Sequence, residues 1–418
     1  MRIVVGRDGR LGGDVIENFV SSCLQMAGAE VTRIGTAPTP TVQVACELSG
    51  ADGAIAITAS HNPQEWNGLK FLQSDGTFLD GRQVEELIRI AGKGDFSYAN
   101  VNSIPPLRTD DGFTARHISK TLSLKLIDKQ KIRNRKFKVV VDAVNSSGSV
   151  IVPQLLRELG CEVKELYCDQ SGIFPHTPEP LPHNLKGLSK AVRSHRADLG
   201  IAVDPDADRL VLITDAGKPF GEENTITASV RFVLRKYKGG NATVNLSTTR
   251  AVDDAAAESG GRVFRSAVGE INVVKEMMKN GSVIGGEGSG GVILPESHYG
   301  RDSLAGIVLV LSELAASGLT AEEYKKNLPR YHITKGKIEN VRNADKLLRA
   351  LKLKYGSGME KVRMTTIDGL KLDFKDHWIH LRRSNTEPII RVITEAVTRK
   401  EAEQIQNKFT EDLKKLAV

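Results

Sequence analysis

Short apolar runs alternate with amphipathic stretches along most of the chain, and this alternation predicts strands and helices in turn. Runs rich in Val, Ile and Ala occur at Ile3–Val5, Ala54–Ile57, Lys138–Val141 and Leu199–Val203. Each run is too short for a helix and stops at polar or glycine-rich residues, as buried strands do. The pattern therefore predicts an α/β fold, with parallel strands joined by right-handed crossovers.

Three segments of the chain share one order of predicted elements: strand, helix, strand, helix and strand. In each segment a glycine follows the first helix, at Gly28, Gly160 and Gly260, where it fits a left-handed C-cap. The predicted helices cover residues 14–27, 41–48, 150–159, 185–194, 252–258 and 271–278. We interpret this order as a threefold repeat.

The repeat predicts three similar domains with mixed α/β sheets around a cleft, which we place at residues 1–115, 116–220 and 221–330. The last stretch, residues 331–418, has a different pattern. It predicts a hairpin, a further strand and a long helix, at Leu370–Phe374, Trp378–Arg382, Ile389–Ile393 and Arg399–Leu416. This order is typical of a small α+β domain.

Each copy of the repeat ends in a loop that follows a predicted buried strand. The loops are Thr58–His61, Asp204–Arg209 and Gly285–Gly291, and the third contains Glu287 and Ser289. Ligands of open α/β sheets bind beyond the carboxyl ends of the strands. Three domains around one cleft would direct these loops at each other.

The second loop is a candidate metal site. Asp204, Asp206 and Asp208 alternate at a strand end, and three hard oxygen donors at this spacing suit Mg²⁺. An EF-hand is excluded, because Arg209 and Asp215 stand where it requires Gly and Glu. Two alternatives stay open: the strand-terminal Asp nucleophile of haloacid-dehalogenase-type phosphatases, and a purely structural carboxylate cluster.

The first loop offers the hydroxyl of Ser60. Two features argue against an acyl-transfer triad. The sequence has no GxSxG motif, and His61 directly follows Ser60, a position that rarely favours a hydrogen bond between their side chains. A serine that carries a phosphoryl group beside a metal ion needs no triad. A turn or cap role is the structural alternative for Ser60. Lys70, farther along, is either a surface lysine or a proton donor near Ser60.

Two other loops fit a phosphorylated ligand. Arg382–Pro388, which follows the predicted hairpin, packs cationic and hydroxyl donors together, a composition that suits a phosphate group. Glu287 in the third strand-end loop could accept hydrogen bonds from sugar hydroxyls, while the surrounding glycines allow close approach.

The composition excludes several classes of protein. The 418 residues are 40% hydrophobic and 26% charged, with a formal net charge of +7. The basic stretch Lys129–Lys138 reads as a solvated linker, because only Phe137 offers a ring for base stacking. No apolar stretch reaches membrane-spanning length, and the four cysteines form no zinc or disulfide pattern. We expect a cytoplasmic protein that binds neither nucleic acid nor membranes.

Together, these loops resemble the α-D-phosphohexomutase family. Thr58–Pro63 is similar to its phosphoserine loop and Asp204–Arg209 to its metal loop. Gly286–Gly291 is similar to its sugar-binding loop, and Arg382–Pro388 to its C-terminal phosphate-binding loop. The motifs occur in the family's order and cover almost the whole chain. The family's three α/β domains and fourth α+β domain agree with the repeat.

The resemblance implies a phosphoryl exchange in which phosphorylated Ser60 gives its phosphoryl group to a hexose monophosphate. The bisphosphorylated sugar turns over in the cleft and returns its other phosphoryl group to Ser60, so that hexose 1,6-bisphosphate acts as an activator. One Mg²⁺ ion would be held by the Ser60 phosphate together with Asp204, Asp206 and Asp208.

The resemblance also implies a monomer or homodimer with a small-molecule phosphosugar as its partner, and roles for other residues. Lys70 would be an acid/base or charge-stabilising partner, and His61 and Arg209 complete the candidate catalytic residues. Sugar hydroxyls and the non-transferring phosphate would be held by Glu287, Ser289, Arg382, Ser384, Asn385, Thr386 and Arg391.

Three features depart from the family pattern. A Gly-Thr-x-Gly-Ile-Arg-Gly-like segment usually precedes the strand that here begins at Met1. We therefore expect the first domain to be incomplete at its N-terminus, without an edge strand, a helix and an active-site arginine. Gly291 replaces a histidine of many relatives, and Asn385 stands where glycine is common. The last two features resemble phosphoglucosamine mutases of archaea and some bacteria, and favour that activity over phosphoglucomutase/phosphomannomutase activity.

Two further classes of function stay open. A metal-dependent sugar phosphatase would share Ser60 and the aspartate loop, with water as the phosphoryl acceptor. A non-catalytic sugar-phosphate binder would bind substrate without turnover, and the N-terminal departure favours this alternative.

Overall fold

The short apolar runs form the buried strands of three successive sheets, and a fourth sheet lies near the C-terminus. A computed structural model of the chain describes residues 1–339, 341, 343–356, 362–384 and 388–417. Among these residues, no helix combines the length and the apolar character needed to cross a lipid bilayer.

Sheet I is built from the first part of the chain, and its strand order is β4-β3-β1-β2-β5. Its unit consists, in chain order, of β1 (Arg2–Arg7), α1 (Gly13–Met26), β2 (Glu30–Thr36), α2 (Thr39–Ser49), β3 (Gly53–Ile57), β4 (Leu69–Gln73), α3 (Gly81–Lys93) and β5 (Leu107–Thr109).

Sheets II and III follow, with strand orders β9-β8-β6-β7 and β13-β12-β10-β11. The unit of sheet II consists of α4 (Phe113–Leu122), α5 (Lys129–Arg135), β6 (Lys138–Asp142), α6 (Gly148–Glu158), β7 (Glu162–Tyr167), α7 (Lys186–His195), β8 (Leu199–Val203) and β9 (Leu210–Thr214). The unit of sheet III consists of α8 (Glu222–Lys236), β10 (Asn241–Asn245), α9 (Ala251–Ala257), β11 (Arg262–Ser266), α10 (Glu270–Asn280), β12 (Ile284–Glu287), β13 (Gly291–Ile293), α11 (Ser303–Ser317) and α12 (Ala321–Lys326).

The three sheets share one topology. In each sheet three neighbouring strands run parallel, and an antiparallel strand lies at one edge. Sheet I has one more parallel strand, β5, at its other edge. Gly28, Gly160 and Gly260 have φ angles of 82°, 76° and 69°, the left-handed conformation that was predicted for them. The threefold repeat of mixed α/β sheets is thus confirmed. Sheet I contains counterparts of all the strands of sheets II and III, and its expected N-terminal incompleteness stays a prediction.

The antiparallel fourth strand is an element that the apolar pattern did not reveal. β4 returns beside β3, with Leu69 opposite Ile57, and β9 returns beside β8, with Leu210 opposite Val203. Each strand-end loop is therefore the connection of a hairpin rather than the start of a helical crossover. This return places Lys70, on β4, close to the loop that precedes it.

The interpretation of Lys129–Lys138 as a solvated linker is wrong. Residues 129–135 form helix α5, whose Ile132 is fully buried, and β6 begins at Lys138. Arg133 donates hydrogen bonds to the carbonyl oxygen of Glu158, and Arg135 donates to carbonyl oxygens at the end of α11. A single apolar side chain in a basic heptad was too weak a signal for a docked helix.

Sheet IV is antiparallel, with the order β14-β18-β17-β16-β15. Its unit consists of β14 (His332–Ile338), α13 (Ala344–Gly356), β15 (Arg363–Thr365), β16 (Leu370–Asp373), β17 (Trp378–Arg383), β18 (Ile390–Ala396) and α14 (Arg399–Ala417). The predicted hairpin is β16 and β17, in which Leu370 pairs with Leu381. The α+β character of the last unit is confirmed.

The largest core lies between sheets II and III. Helix α11 is buried along most of its length and packs with α8 and both sheets in one apolar cluster. Sheets I and IV have separate cores of their own. Burial of the apolar surface around α11 fixes the second and third strand-end loops relative to each other.

Candidate active site

Ser60 lies in a tight loop directly beyond β3. The hydroxyl of Thr58 donates a hydrogen bond to Asp8 Oδ2 at 2.7 Å and accepts the N–H of Ser60 at 2.8 Å. Ser60 itself has a φ of 51°, a left-handed conformation that is uncommon for a residue with a side chain. The surrounding hydrogen bonds hold the strained backbone that presents the Ser60 hydroxyl.

A buried arginine holds this loop through its main chain. The Arg10 guanidinium donates hydrogen bonds to the carbonyl oxygens of Ser60, Asn62, Pro63 and Trp66. Its Nε donates to Asp8 Oδ2 at 3.0 Å, and both side chains are inaccessible to solvent. Burial raises the pKa of Asp8 to about 6, although Arg10 and Thr58 oppose that rise. One planar guanidinium thus fixes the backbone path of the whole Ser60 loop.

The first two strand-end loops meet, as the repeat predicts. Asp204, Asp206 and Asp208 are fully buried, and the Ser60 hydroxyl donates a hydrogen bond to Asp204 Oδ2 at 3.3 Å. Thr39, at the start of α2, donates its hydroxyl to Asp206 Oδ2 at 2.6 Å and its N–H to the Asp206 carbonyl at 2.9 Å. Side chains of sheet I therefore contact the carboxylates of sheet II directly.

Three cations surround the carboxylates. Lys70 Nζ lies 2.6 Å from Asp206 Oδ2 and 3.5 Å from Asp208 Oδ2. Arg301 donates to Asp208 Oδ2 at 2.5 Å, and Arg209 Nε lies 3.9 Å from oxygens of both Asp204 and Asp208. The cluster is thus a network of ion pairs between side chains from the units of all three sheets.

These cations set the protonation of the cluster. Burial acts to lower the pKa of Lys70, but the neighbouring carboxylates Asp206 and Asp208 raise it above its ordinary value. Burial likewise acts to raise the pKa of Asp208, but Arg301, Lys70 and Arg209 bring it below its usual range. Lys70 is therefore a cation and Asp208 an anion near neutral pH.

The carboxylate cluster fits a divalent metal ion. One oxygen of each of the three groups lies within 4.8 Å of the others, and the buried Oδ1 atoms of Asp206 and Asp208 have no hydrogen-bond partner. Burial, with the charges of Asp208 and Asp206, raises the pKa of Asp204 well above its ordinary value. The unpartnered oxygens could bind a cation, whose charge would offset the repulsion between the carboxylates. Mg²⁺ prefers oxygen ligands of this kind.

His61 contacts the hydroxyl of its neighbour, contrary to what adjacency in sequence led us to expect. Its Nδ1 lies 3.3 Å from Ser60 Oγ, because the left-handed backbone at Ser60 brings the two side chains together. Its Nε2 lies 4.0 Å from Glu179 Oε1. Burial, followed by the charge of Arg209, lowers the pKa of His61 to about 4. The imidazole is therefore neutral near pH 7.

The third strand-end loop joins the same network through Arg301. Glu287 accepts hydrogen bonds from Arg301 Nη1 at 2.6 Å, from Asn245 Nδ2 at 2.8 Å and from the N–H of Gly269 at 3.1 Å. Glu287 is nearly buried by these contacts, whereas Ser289 is half-buried in the turn. Arg301 thus connects Glu287 to Asp208 of the metal loop, and these hydrogen bonds occupy most of the acceptor positions of Glu287.

A further carboxylate borders this loop. Glu223, half-buried in the first turn of α8, packs against Gly288, where an added Cβ would lie 2.1 Å from Glu223 Oε1. The N–H of Thr249 donates to Glu223 Oε2 at 3.0 Å, and burial raises the pKa of Glu223 to about 8. The absence of a side chain at Gly288 lets the carboxylate approach the loop.

The predicted phosphate-binding loop lies on sheet IV. Arg382 on β17 pairs directly with Arg391 on β18, so that both side chains leave the same face of the sheet. Arg382 Nε lies 3.3 Å from Asp368 Oδ2, and Asp368 Oδ2 also accepts the N–H of Val268 from the unit of sheet III at 3.0 Å. Ser384 donates its N–H to the Ile389 carbonyl, and the predicted ligands Asn385 and Thr386 lie outside the described residues.

Several residues of the site were missed or undervalued from the sequence. Arg10 and Asp8 follow β1, whose carboxyl end lies at the same sheet edge as the Ser60 loop, and this position was the available signal. Arg301 received no role from the sequence, although it binds Asp208, Glu287 and Glu270. Its role depends on a contact between sheets, which the spacing of residues along the chain does not reveal.

Comparison with known proteins identifies the class. The chain matches family models for phosphoglucomutase/phosphomannomutase: alpha/beta/alpha domain I over residues 1–98, domain II over 115–217, domain III over 223–331 and the C-terminal domain over 335–412. The chain therefore belongs to this family of phosphohexomutases, enzymes that transfer a phosphoryl group within a sugar phosphate.

Individual relatives agree with this assignment. A phosphoglucomutase/phosphomannomutase of Thermococcus kodakarensis is 36% identical over 405 residues, which is 96% of this chain and 87% of the relative. A probable phosphoglucosamine mutase of Methanopyrus kandleri is 33% identical over 414 residues, 98% of this chain and 89% of the relative. The crystal structure of a phosphoglucomutase/phosphomannomutase family protein from Burkholderia thailandensis superimposes with a TM-score of 0.85 at 28% identity, covering 99% and 89% of the two chains.

Proposed function

We propose that this phosphohexomutase interconverts hexose 1-phosphate and hexose 6-phosphate through a phosphoryl group carried by Ser60, with glucosamine phosphate as the preferred substrate. The observation that supports Ser60 most strongly is its position 3.3 Å from Asp204, beside buried carboxylate oxygens that have no hydrogen-bond partner. A carrier serine needs such a neighbouring cation site, because its phosphate would otherwise face carboxylates of the same charge.

Asp204, Asp206 and Asp208 would hold one Mg²⁺ ion together with an oxygen of the Ser60 phosphate. The ion would supply positive charge to the phosphoryl oxygens. Lys70 and Arg209 stand on the same cluster and add fixed positive charge without needing to move.

The proposed chemistry is balanced over two half-reactions. In the first, the P–Oγ bond of Ser60 breaks, a P–O bond forms to a sugar hydroxyl, and the proton of that hydroxyl is exchanged for one on Ser60 Oγ. The resulting hexose 1,6-bisphosphate returns its other phosphoryl group in the second half-reaction. Lys70, a cation in the resting site, is placed to stabilise negative charge on the phosphoryl oxygens or to give a proton to the leaving oxygen, and neutral His61 beside Ser60 Oγ is placed to accept a proton.

The phosphate that is not transferred would bind at sheet IV. Arg382 and Arg391 lie opposite each other on neighbouring strands, an arrangement of like charges that Asp368 offsets at Arg382 and that a bound phosphate would offset further. Guanidinium groups bind phosphate oxygens through paired hydrogen bonds. Ser384, and the loop residues Asn385 and Thr386, would complete this subsite.

Carboxylates near the sugar loop support an amino sugar as substrate. Glu223 forms no ion pair within 4.0 Å in the described part of the chain, although it packs against Gly288 beside Glu287 and Ser289. An ammonium group on the sugar would give this carboxylate a cationic partner, whereas the hydroxyl of glucose or mannose would not. The assignment of one relative as a probable phosphoglucosamine mutase agrees with this preference.

The proposal is tested with one panel of substrates. Glucosamine, glucose and mannose 1-phosphates are each incubated with the protein, Mg²⁺ and a trace of the matching bisphosphate, and the products are followed by phosphorus NMR. We expect the 6-phosphate in each case, with the largest kcat/KM for glucosamine. Release of inorganic phosphate without any 6-phosphate would show a phosphatase and overturn the mutase function.

The same panel separates the two levels of the proposal. Equal kcat/KM values for the three sugars, or a larger value for glucose or mannose, would overturn the amino-sugar preference and leave the mutase function in place. Glu223→Gln should lower kcat/KM for glucosamine 1-phosphate by about 10-fold and leave the glucose value nearly unchanged, because only the ammonium group of the amino sugar would favour the ionised form of Glu223 and pair with it. Glu85→Gln, on the exposed part of α3, is the matched control.

A further inference from the structure

A second buried cluster of ligand-type side chains lies apart from the carboxylate cluster. It consists of His117 from α4, His298 from the segment between β13 and α11, and Asp302 at the N-terminal cap of α11. Their exposed fractions are 0%, 5% and 1%, so that the three polar groups share a site closed to solvent. The proposed phosphoryl transfer uses none of them.

The atoms of this cluster are spaced like the ligands of one ion. Asp302 Oδ2 lies 3.1 Å from His117 Nε2 and 3.5 Å from His298 Nε2. A tetrahedral zinc ion with ligand bonds of about 2.0–2.1 Å holds its ligand atoms about 3.3–3.4 Å apart. Both measured separations lie close to this value.

His298 is buried in a way that hydrogen bonds within the cluster do not explain. Neither of its ring nitrogens has a hydrogen-bond partner, although the residue is 95% buried (5% exposed). A buried polar group without a partner is rare in proteins and calls for a specific reason, such as a bound ion. Asp302 Oδ2 lies 3.5 Å from His298 Nε2, beyond the usual N–H···O distance, and the same oxygen already contacts His117 Nε2 at 3.1 Å.

The remaining contacts orient two of the three ligands. The hydroxyl of Thr41 lies 2.9 Å from His117 Nδ1; with the ring proton on Nδ1, the lone pair of Nε2 points at Asp302 and His298. Asp302 Oδ1 accepts the N–H of Leu304 at 2.8 Å, which fixes the carboxylate and leaves Oδ2 for the cluster. Outer contacts of this kind are those that usually support metal-binding histidines and carboxylates.

We propose that His117, His298 and Asp302 bind a zinc-class transition-metal ion that joins α4 to the N-terminal end of α11. Imidazole nitrogens with one carboxylate suit zinc, whereas the oxygen-only cluster of Asp204, Asp206 and Asp208 suits magnesium. The two sites therefore differ in the chemistry of their ligands, and each selects its own ion.

The site has a structural consequence for the active site. Asp302 directly follows Arg301, which binds Asp208 and Glu287. Thr41 lies on α2, two residues after Thr39, which donates to Asp206. An ion at the second site would fix both segments that support the carboxylate cluster, and it would act as a positioning element rather than as a catalytic group.

The test measures zinc directly on the full-length protein. Chelator-treated protein is incubated with Zn²⁺ in a large excess of Mg²⁺, passed through gel filtration and analysed by mass spectrometry for metals. We expect about one zinc ion per chain. His298→Ala and His117→Ala should each lower the zinc affinity by about 100-fold or more, whereas His183→Ala, at an exposed histidine, should not change it.

Cobalt provides a second readout, which the wild-type protein gives by its own absorption spectrum. Co²⁺ in a four-coordinate site with two imidazoles absorbs visible light strongly, whereas six-coordinate Co²⁺ with oxygen ligands absorbs weakly. We expect the strong spectrum in wild type and also in Asp206→Asn, which alters only the magnesium cluster. Zinc retention in wild type no greater than in His298→Ala, or only the weak spectrum in wild type, would show that water or a protonated imidazole satisfies the cluster, and would overturn the proposal.

Discussion

The Ser60 loop and the Asp204–Arg209 loop occupy equivalent positions in sheets I and II, but the protein holds their side chains differently. The cation beside the Ser60 loop, Arg10, binds carbonyl oxygens of the loop backbone. The backbone of the Asp loop also accepts hydrogen bonds, at Pro205 and Asp206, but its cations lie on the carboxylates. The first arrangement leaves a hydroxyl available for reaction, and the second leaves carboxylate oxygens available for an ion.

This difference follows from what each loop must do in the proposed reaction. A phosphoryl carrier forms and breaks a bond at Oγ, so its position has to be set by contacts that do not use that atom. Metal ligands form no covalent bond to the phosphoryl group, and fixed charges around them lower the reorganisation needed during transfer. One sheet topology therefore supports a reactive loop in one copy and an electrostatic loop in the next.

The largest expected effect comes from removing the reactive atom itself. Ser60→Ala should abolish phosphoryl exchange, with a loss of more than about 10⁴-fold in kcat, because no other group carries the phosphoryl. Intact-mass measurement after incubation with hexose bisphosphate should show a phosphoryl group on wild type only. Ser22→Ala, at an exposed serine of α1, is the control; full turnover by Ser60→Ala would remove Ser60 from its role.

The next largest effect tests the electrostatic loop. Asp206→Asn removes one metal ligand and the partner of Lys70 and Thr39, and should cost about 10³-fold in kcat/KM with a higher Mg²⁺ requirement. The measurement is a Mg²⁺ titration of mutase activity. Asp111→Asn, at an exposed aspartate, is the control, and an unchanged Mg²⁺ requirement in Asp206→Asn would contradict the proposed metal loop.

A smaller effect is expected from the cation that stands between the loops. Lys70→Gln should lower kcat by about 10²-fold. The change removes the positive charge of the Lys70 ammonium group, which Asp206 and Asp208 stabilise, and its capacity to give a proton. Since the pKa of Lys70 lies above its ordinary value, wild type should show no activity limb from Lys70 between about pH 6 and 9. An activity limb in that range that disappears in Lys70→Gln would contradict this assignment.

The backbone support of the Ser60 loop should show a milder loss. Arg10→Lys keeps the positive charge beside Asp8 but cannot reproduce the planar set of hydrogen bonds to the loop carbonyls. We expect about a 10-fold loss in the rate of Ser60 phosphorylation, because a displaced nucleophile reacts more slowly, with a lower unfolding temperature. Arg82→Lys, on the exposed face of α3, is the control. Unchanged kinetics would mean that the loop keeps its path without Arg10.

The smallest effect concerns the third equivalent loop and its neighbour Glu223. Burial raises the folded-state pKa of Glu223 from 4.5 to about 8, so the folded protein binds more protons here than the unfolded chain between those pH values. This contribution to stability is present below about pH 4.5 and is lost as the pH rises to 8. Glu223→Gln should therefore gain thermal stability relative to wild type as the pH increases over that window. A constant difference in unfolding temperature across the window would contradict the shifted pKa.

Much of the fold could be predicted, because strands and helices are short-range features of the pattern of apolar residues. The parallel strands, the glycine caps and the hairpin of sheet IV all follow from residues close together in sequence. Helix α5 and the antiparallel strands β4, β9 and β13 were not predicted. Their stability comes from packing against a neighbour that is already in place, which the local pattern does not record.

The candidate site shows the same division. The strand-end positions of Ser60 and of Asp204, Asp206 and Asp208 were determined by the sequence, because a polar loop after a buried strand lies at the edge of its sheet. The repeat predicts that these loops face each other, but their individual contacts were decided by the tertiary structure. Examples are the hydrogen bonds of Arg10 to carbonyl oxygens and the ion pair of Arg301 with Asp208. Each of these contacts joins atoms from different elements, and only the packing of the sheets against one another brings them within hydrogen-bond distance.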